Sequence, residues 1–195
     1  MQPIFKTSYL TWLVLLLPLT GCAPMVAMGV GAGAGTGAMV AEDRRTSGIF
    51  IEDESIELKS SKRLHEQFGN QAHINITSFN RIVLLSGEAP TEALKEEASK
   101  LVRSIENVRN VINEITIGGK SSLGSRSNDT FITSKVKSRF LASGKFQINH
   151  IKIVTEKGVV FLLGVVKRAE ADNAVEIARS TSGVAKVVKV FEYLD

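Results

Sequence analysis

The feature that most restricts the fold of this chain is an internal repeat. The stretch from His73 to Gly87, HINITSFNRIVLLSG, aligns with His150 to Gly164, HIKIVTEKGVVFLLG. Further on, Ala93, Ala98, Leu101, Arg103, Ser104 and Val108 align with Ala169, Ala174, Ile177, Arg179, Ser180 and Val184, after a slip of one residue. A repeat of this length means that one supersecondary unit is used twice. Each copy reads as a first helix starting near Ile56 or Thr130, followed by an alternating strand. A turn at Asn80-Arg81 or Lys157-Gly158 then leads to a continuous apolar strand ending at Gly87 or Gly164. A second helix follows, Thr91 to Glu106 or Glu170 to Thr181, and a closing strand, Val108 to Ile117 or Val184 to Leu194. The order is αββαβ, an α+β class, and three strands must cover one sheet face with both helices to bury a core.

The N-terminus carries a different signal. MQPIFKTSYLTWLVLLLPLTGC has one lysine, an apolar run from Leu10 to Leu19, and then small residues, the order of an export signal. The run is shorter than the ~20 residues a spanning helix needs. The only cysteine follows in Leu19-Thr20-Gly21-Cys22, which resembles a bacterial lipobox, so residues 1–21 are expected to be a lipoprotein signal peptide and Cys22 the lipidation site. The other readings of Cys22 are a buried or unpaired thiol and a nucleophile, and no structured partner surrounds it to support the last. A disulfide within the chain is excluded. Ala23, rather than Asp, follows the cysteine, which favours the outer membrane, periplasmic face, with the chain lipid-anchored. Residues 22–49 are rich in Gly and Ala and nearly uncharged until residue 42, so they are read as a tether. A small-residue helix at the membrane surface is the alternative, and no Gly run here fits a dinucleotide loop.

The repeats are therefore placed at 50–117 and 128–195, with 118–127, GGKSSLGSRS, as a polar linker. The two copies are expected to fold separately, with a joint open to proteases. Their charges differ. Residues 51–117 hold eight Lys/Arg against eleven Asp/Glu, while residues 128–195 hold eleven against seven. The overall charge of +4 is too small to imply nucleic acid, which an exported protein would seldom meet.

No catalytic constellation is present. His73 and His150 occupy the same place in the two copies, which a fold explains better than chemistry. His65 has no partner at metal-ligand spacing, and Glu52-Asp53-Glu54 and Glu96-Glu97 read as solvated faces. No enzyme activity, cofactor or metal is expected. One helix stands out. Ile132, Val136 and Phe140 define a buried stripe at a spacing of four, yet Phe131 falls roughly 140° from its centre, beside Ser134, Lys135 and Ser138. Asn128, Asp129 or Thr130 would cap this helix and put Phe131 in its first turn. Lys137 and Arg139 lie nearer the edges of that face. An exposed aromatic among cations suits an anionic lipid surface, and burial against the other copy or under the linker is the competing reading.

The αββαβ order, RIVLLSG and GVVFLLG, and the valine in Asn107-Val108 and Gly183-Val184 resemble the BON domain, twice over. With the lipobox, the whole chain resembles the dual-BON lipoproteins of the Gram-negative outer membrane, the DolP group. The resemblance implies binding of anionic phospholipid through the second domain, and the helix face read above makes Phe131, Ser134, Lys135, Ser138 and Arg139 the residues expected to carry it. It also implies a role in envelope integrity, a place near the division site, and envelope or division proteins as partners. Phe131 departs from the Trp often found there, and Phe lacks the indole N–H that favours an interface. A membrane-active, haemolysin-like lipoprotein and a peptidoglycan- or protein-binding adaptor are the alternatives.

Overall fold

A computed structural model describes residues 43–195. The first copy comprises α1 (Ser47–Phe68), β1 (His73–Phe79), β2 (Ile82–Ala89), α2 (Glu92–Arg103), β3 (Asn110–Asn113) and β4 (Thr116–Ile117). The second comprises α3 (Leu123–Ser143), a single 3-10 turn (Ile148–His150), β5 (Ile151–Glu156), β6 (Val159–Val166), α4 (Arg168–Arg179) and β7 (Lys186–Tyr193). Each copy is αββαβ, with the closing strand of the first broken into β3 and β4. In both sheets the apolar strand is central, antiparallel to the strand before it and parallel to the closing strand.

The hairpins explain themselves residue by residue. Phe79 pairs with Ile82 and Glu156 with Val159, so each loop has two residues. All four loop residues have positive φ: 52° and 64° at Asn80 and Arg81, 49° and 75° at Lys157 and Gly158. This is the turn whose twist matches paired strands. The glycines ending the central strands are there for space. A Cβ at Gly87 would lie 2.1 Å from the His73 carbonyl oxygen, and one at Gly164 would lie 2.5 Å from that of His150.

Side chains of the central strands alternate between two cores. Val83 and Leu85 join Ile56, Leu64 and Ala98 beneath the first pair of helices, and Val160 and Leu162 join Ile132, Val136 and Phe140 beneath the second. The residues between them face the other way. Leu84 and Phe79 meet Phe161 and Leu163 in a third cluster, ringed by Ile112, Val154, Val188 and Val190. The two sheets pack face to face, so each is buried on both sides, as an unbroken apolar strand requires. Each of those four large side chains contributes roughly 2 kcal/mol by leaving water.

Polar contacts rim this shared core. Lys152 pairs with Glu57 at 2.8 Å, Lys157 with Glu88 at 2.9 Å and Arg109 with Glu192 at 3.0 Å. The Asn75 amide donates to Glu156 at 2.8 Å. Burial pushes the Glu88 carboxyl up, but the Lys157 ammonium and the Ser121 donors outweigh it and hold Glu88 below its usual value. That contribution is present above the ordinary carboxylate range and is lost as pH falls through the lowered value. Arg44, ahead of α1, reaches Glu170 at 2.6 Å and the Val165 carbonyl at 2.9 Å.

Two expectations change. The first helices begin at Ser47 and Leu123, not near Ile56 and Thr130, because Thr46 and Ser122 accept hydrogen bonds from Ile49 N and Ser125 N and cap them there. Residues 123–127, read as linker, are thus the first turn of α3, and buried Ser121 donates to Glu88. Nor do the copies fold apart, since the described residues 43–195 belong to one compact unit holding all three cores. Limited proteolysis of residues 23–195 should spare the segment 118–127, and thermal unfolding should show one transition. Two resistant fragments, or two transitions, would contradict a shared core.

Candidate functional site

Helix α3 places the residues singled out in the sequence. It buries Asp129, Ile132, Val136 and Phe140 and turns the rest outward. Phe131 is 62% exposed, which excludes burial against the other copy or under the joint. It lies two turns into α3 rather than in its first turn, because the cap is Ser122 and not residues 128–130. Ser134 and Ser138 are exposed beside it. Leu123 and Leu141, also largely exposed, fall within about 80° of Phe131 around the helix. The two leucines flank Phe131 along the helix axis, and the three are spread over 18 residue steps, roughly 27 Å of helix.

The cations are less free than their spacing suggests. The Lys135 ammonium lies 4.7 Å from the Phe131 ring centroid and donates to the Ser182 carbonyl oxygen. Arg139 donates to the Ile177 carbonyl at 3.1 Å, to Thr181 Oγ1 at 2.8 Å and to Ser180 Oγ at 3.0 Å. Both side chains satisfy the C-terminal end of α4, where carbonyls and the helix dipole favour positive charge. They leave a positive edge at the surface, with Lys135 keeping two of its three donors for a ligand. Lys137 has no ion pair or hydrogen bond among the described residues.

Two residues escaped the sequence reading. Asp53, taken for part of a solvated face, and Asp129, taken for a cap, are both buried. Asp53 accepts from Asn80 N at 2.9 Å, Arg81 N at 2.7 Å and Ser78 Oγ at 2.6 Å. Asp129 accepts from Lys157 N at 2.9 Å and Gly158 N at 2.8 Å. Each carboxylate ties its helix to the tip of the following hairpin. The signal was available, since each Asp stands three residues before the first isoleucine of the buried stripe, Ile56 or Ile132.

Residues 52–119 and 128–195 each match the BON domain. The chain belongs to the BON-domain family. It is 39% identical over 179 residues to the outer membrane lipoprotein DolP of Haemophilus influenzae, covering 91% of each chain. It is also 39% identical over 154 residues to the 21 kDa hemolysin of Actinobacillus pleuropneumoniae, covering 78% of this chain and 79% of that one. The osmotically-inducible protein Y of Escherichia coli is 31% identical over 145 residues, 72% of each. This two-BON-domain protein is thus an envelope lipoprotein of the DolP group, and its outer-membrane placement agrees with the name of the Haemophilus relative. None of the three names is that of an enzyme. Cys22, the signal peptide and the tether to residue 42 lie outside the described residues. No group of His, Cys, Asp and Glu among the described residues is placed to hold a metal ion.

The buried aspartates give a direct test of the BON scaffold. Asp129→Ala removes two charge-assisted hydrogen bonds from a buried turn and should lower stability by about 3 kcal/mol, measured by denaturant unfolding. Phe131→Ala, on the same helix, should change it by no more than about 0.5 kcal/mol.

Proposed function

We propose that this protein is a periplasmic lipoprotein, anchored in the outer membrane by lipid on Cys22, that binds anionic phospholipid through α3 of its second BON domain. By holding that domain on the bilayer it supports envelope integrity, and a place at the division site, with division or envelope proteins as partners, fits the same role. The observation that carries the reading is Phe131, an aromatic 62% exposed on a helix whose opposite face is core. A ring entering the headgroup layer, with Leu123 and Leu141 beside it, is how an amphipathic helix lies in an interface. The first domain exposes Ile51 and Leu58 on α1 but has Ser55 at the position matching Phe131, and that copy carries net negative charge.

The strength is modest by construction. Burying about half of the ring is worth on the order of 1 kcal/mol, and each cation near an anionic surface adds about as much. That is weak for a free protein but sufficient for one tethered by its own lipid, because the tether raises the local concentration. The name of the Actinobacillus relative carries a second reading, a membrane-active haemolysin. Among the described residues no helix is long and apolar enough to cross a membrane, so lysis would follow from surface binding.

Vesicle co-sedimentation of residues 23–195 tests the proposal. Binding should rise with phosphatidylglycerol or cardiolipin content and fall with salt. Phe131→Ala should weaken it about fivefold. Binding to peptidoglycan sacculi, with none to anionic vesicles, would instead make the protein a wall-associated adaptor.

A further inference from the structure

A groove of about 570 Å³ lies between the two BON domains, with Lys137 of α3 at its rim, roughly 120° round the helix from Phe131. Its apolar wall comes from both copies: Phe50 and Phe79 of the first, Ile148, Ile151 and Ile153 of the second. Phe50 is 45% exposed there, an aromatic at the rim of a groove rather than in a core. The volume lies in the range of pockets that enclose a small ligand. Most of the rim charge is already matched. Arg45 stacks 4.0 Å from the Phe79 ring centroid and pairs with Asp43 and Asp53, and Lys152 pairs with Glu57. Two rim groups remain without an ion pair among the described residues, Lys137 and Glu54.

We propose that this interdomain groove binds one acyl chain of an anionic monoacyl phospholipid, with the chain along Phe50, Ile148 and Ile151 and the phosphate at Lys137. Two observations select that occupant. The wall is apolar and the donor at its edge is an unpaired ammonium, the two halves of an anionic amphiphile. Lys137 stands on α3, so the groove adjoins the face proposed to meet the bilayer. The inference rests on the lipid-facing reading only for the supply of lipid.

The chemistry assigns opposite roles to the two unmatched charges. Lys137 attracts the phosphate, and Glu54 repels it and holds the affinity below what the apolar wall and Lys137 together would give. The first copy's α1 therefore tunes a site whose cation comes from the second copy's α3, and the groove exists only while the two domains are docked.

The test is calorimetric titration of residues 23–195 with palmitoyl-lysophosphatidylglycerol below its micelle threshold, with lysophosphatidylcholine and glycerol 3-phosphate as comparisons. Saturable binding of one lysophosphatidylglycerol per chain is expected, weaker for the zwitterionic lipid and absent for the headgroup alone. Phe50→Asp and Lys137→Glu should each weaken it about tenfold, and Glu54→Gln should tighten it, with the melting temperature of all three near that of the parent chain. Phe131→Ala should leave it unchanged while weakening vesicle binding, which separates this site from the bilayer-docking face. No saturable binding, or binding indifferent to Phe50→Asp and Glu54→Gln, would overturn the proposal. So would binding that appears only when residues 23–42 are removed, because the groove would then belong to the chain's own tether.

Discussion

The contact of Leu84 and Phe79 with Phe161 and Leu163 is the interaction on which the rest of this structure depends. A three-stranded sheet with helices on one face leaves its other face open, and in both copies that face carries large apolar side chains. Packing one sheet on the other removes both exposed faces at once. Everything at the margin follows from it. The ion pairs from Glu57, Glu88 and Glu192 rim the contact, Arg44 bridges to the second copy ahead of α1, and the joint is drawn in until Ser121 is buried against Glu88.

This arrangement also distributes the surfaces. The sheets face inward, so the helices face outward, and α1 and α3 each keep one side at the surface. Duplication would make them alike. They differ because position 131 is Phe where position 55 is Ser, and because basic residues gather in the second copy and acidic ones in the first. Part of that charge difference is used internally, as in Lys152–Glu57 and Lys157–Glu88. What is left on the second copy is a positive edge beside an exposed ring. Lys135 and Arg139 build that edge while closing the end of α4, so their role in the fold and any role toward lipid are coupled.

Much of this was legible in the sequence, and the failures have physical reasons. The repeat, the αββαβ order and both two-residue turns could be read because local turn chemistry and period-two alternation report on neighbours close in the chain. The exposure of Phe131 could be read from helical periodicity. The docking of the sheets could not, although RIVLLSG and GVVFLLG held the clue: a strand apolar at every position has no wet face. It was read as one buried strand and not as a statement about a second partner. Helix starts were missed because Ser-rich, Gly-containing segments look like linkers until a particular serine is used as a cap. The roles of Asp53 and Asp129 depend on backbone N–H groups almost thirty residues away, which no local pattern reveals.

The central claim, that the two BON domains share a core through their sheets, is tested most directly by a double-mutant cycle across the contact. Leu84→Ala and Leu163→Ala would be measured singly and together in residues 23–195 by denaturant unfolding. Shared packing requires a coupling energy of about 1 kcal/mol between two residues that lie in different repeats. Strict additivity of the two losses would contradict it and return the protein to two independent domains on a string.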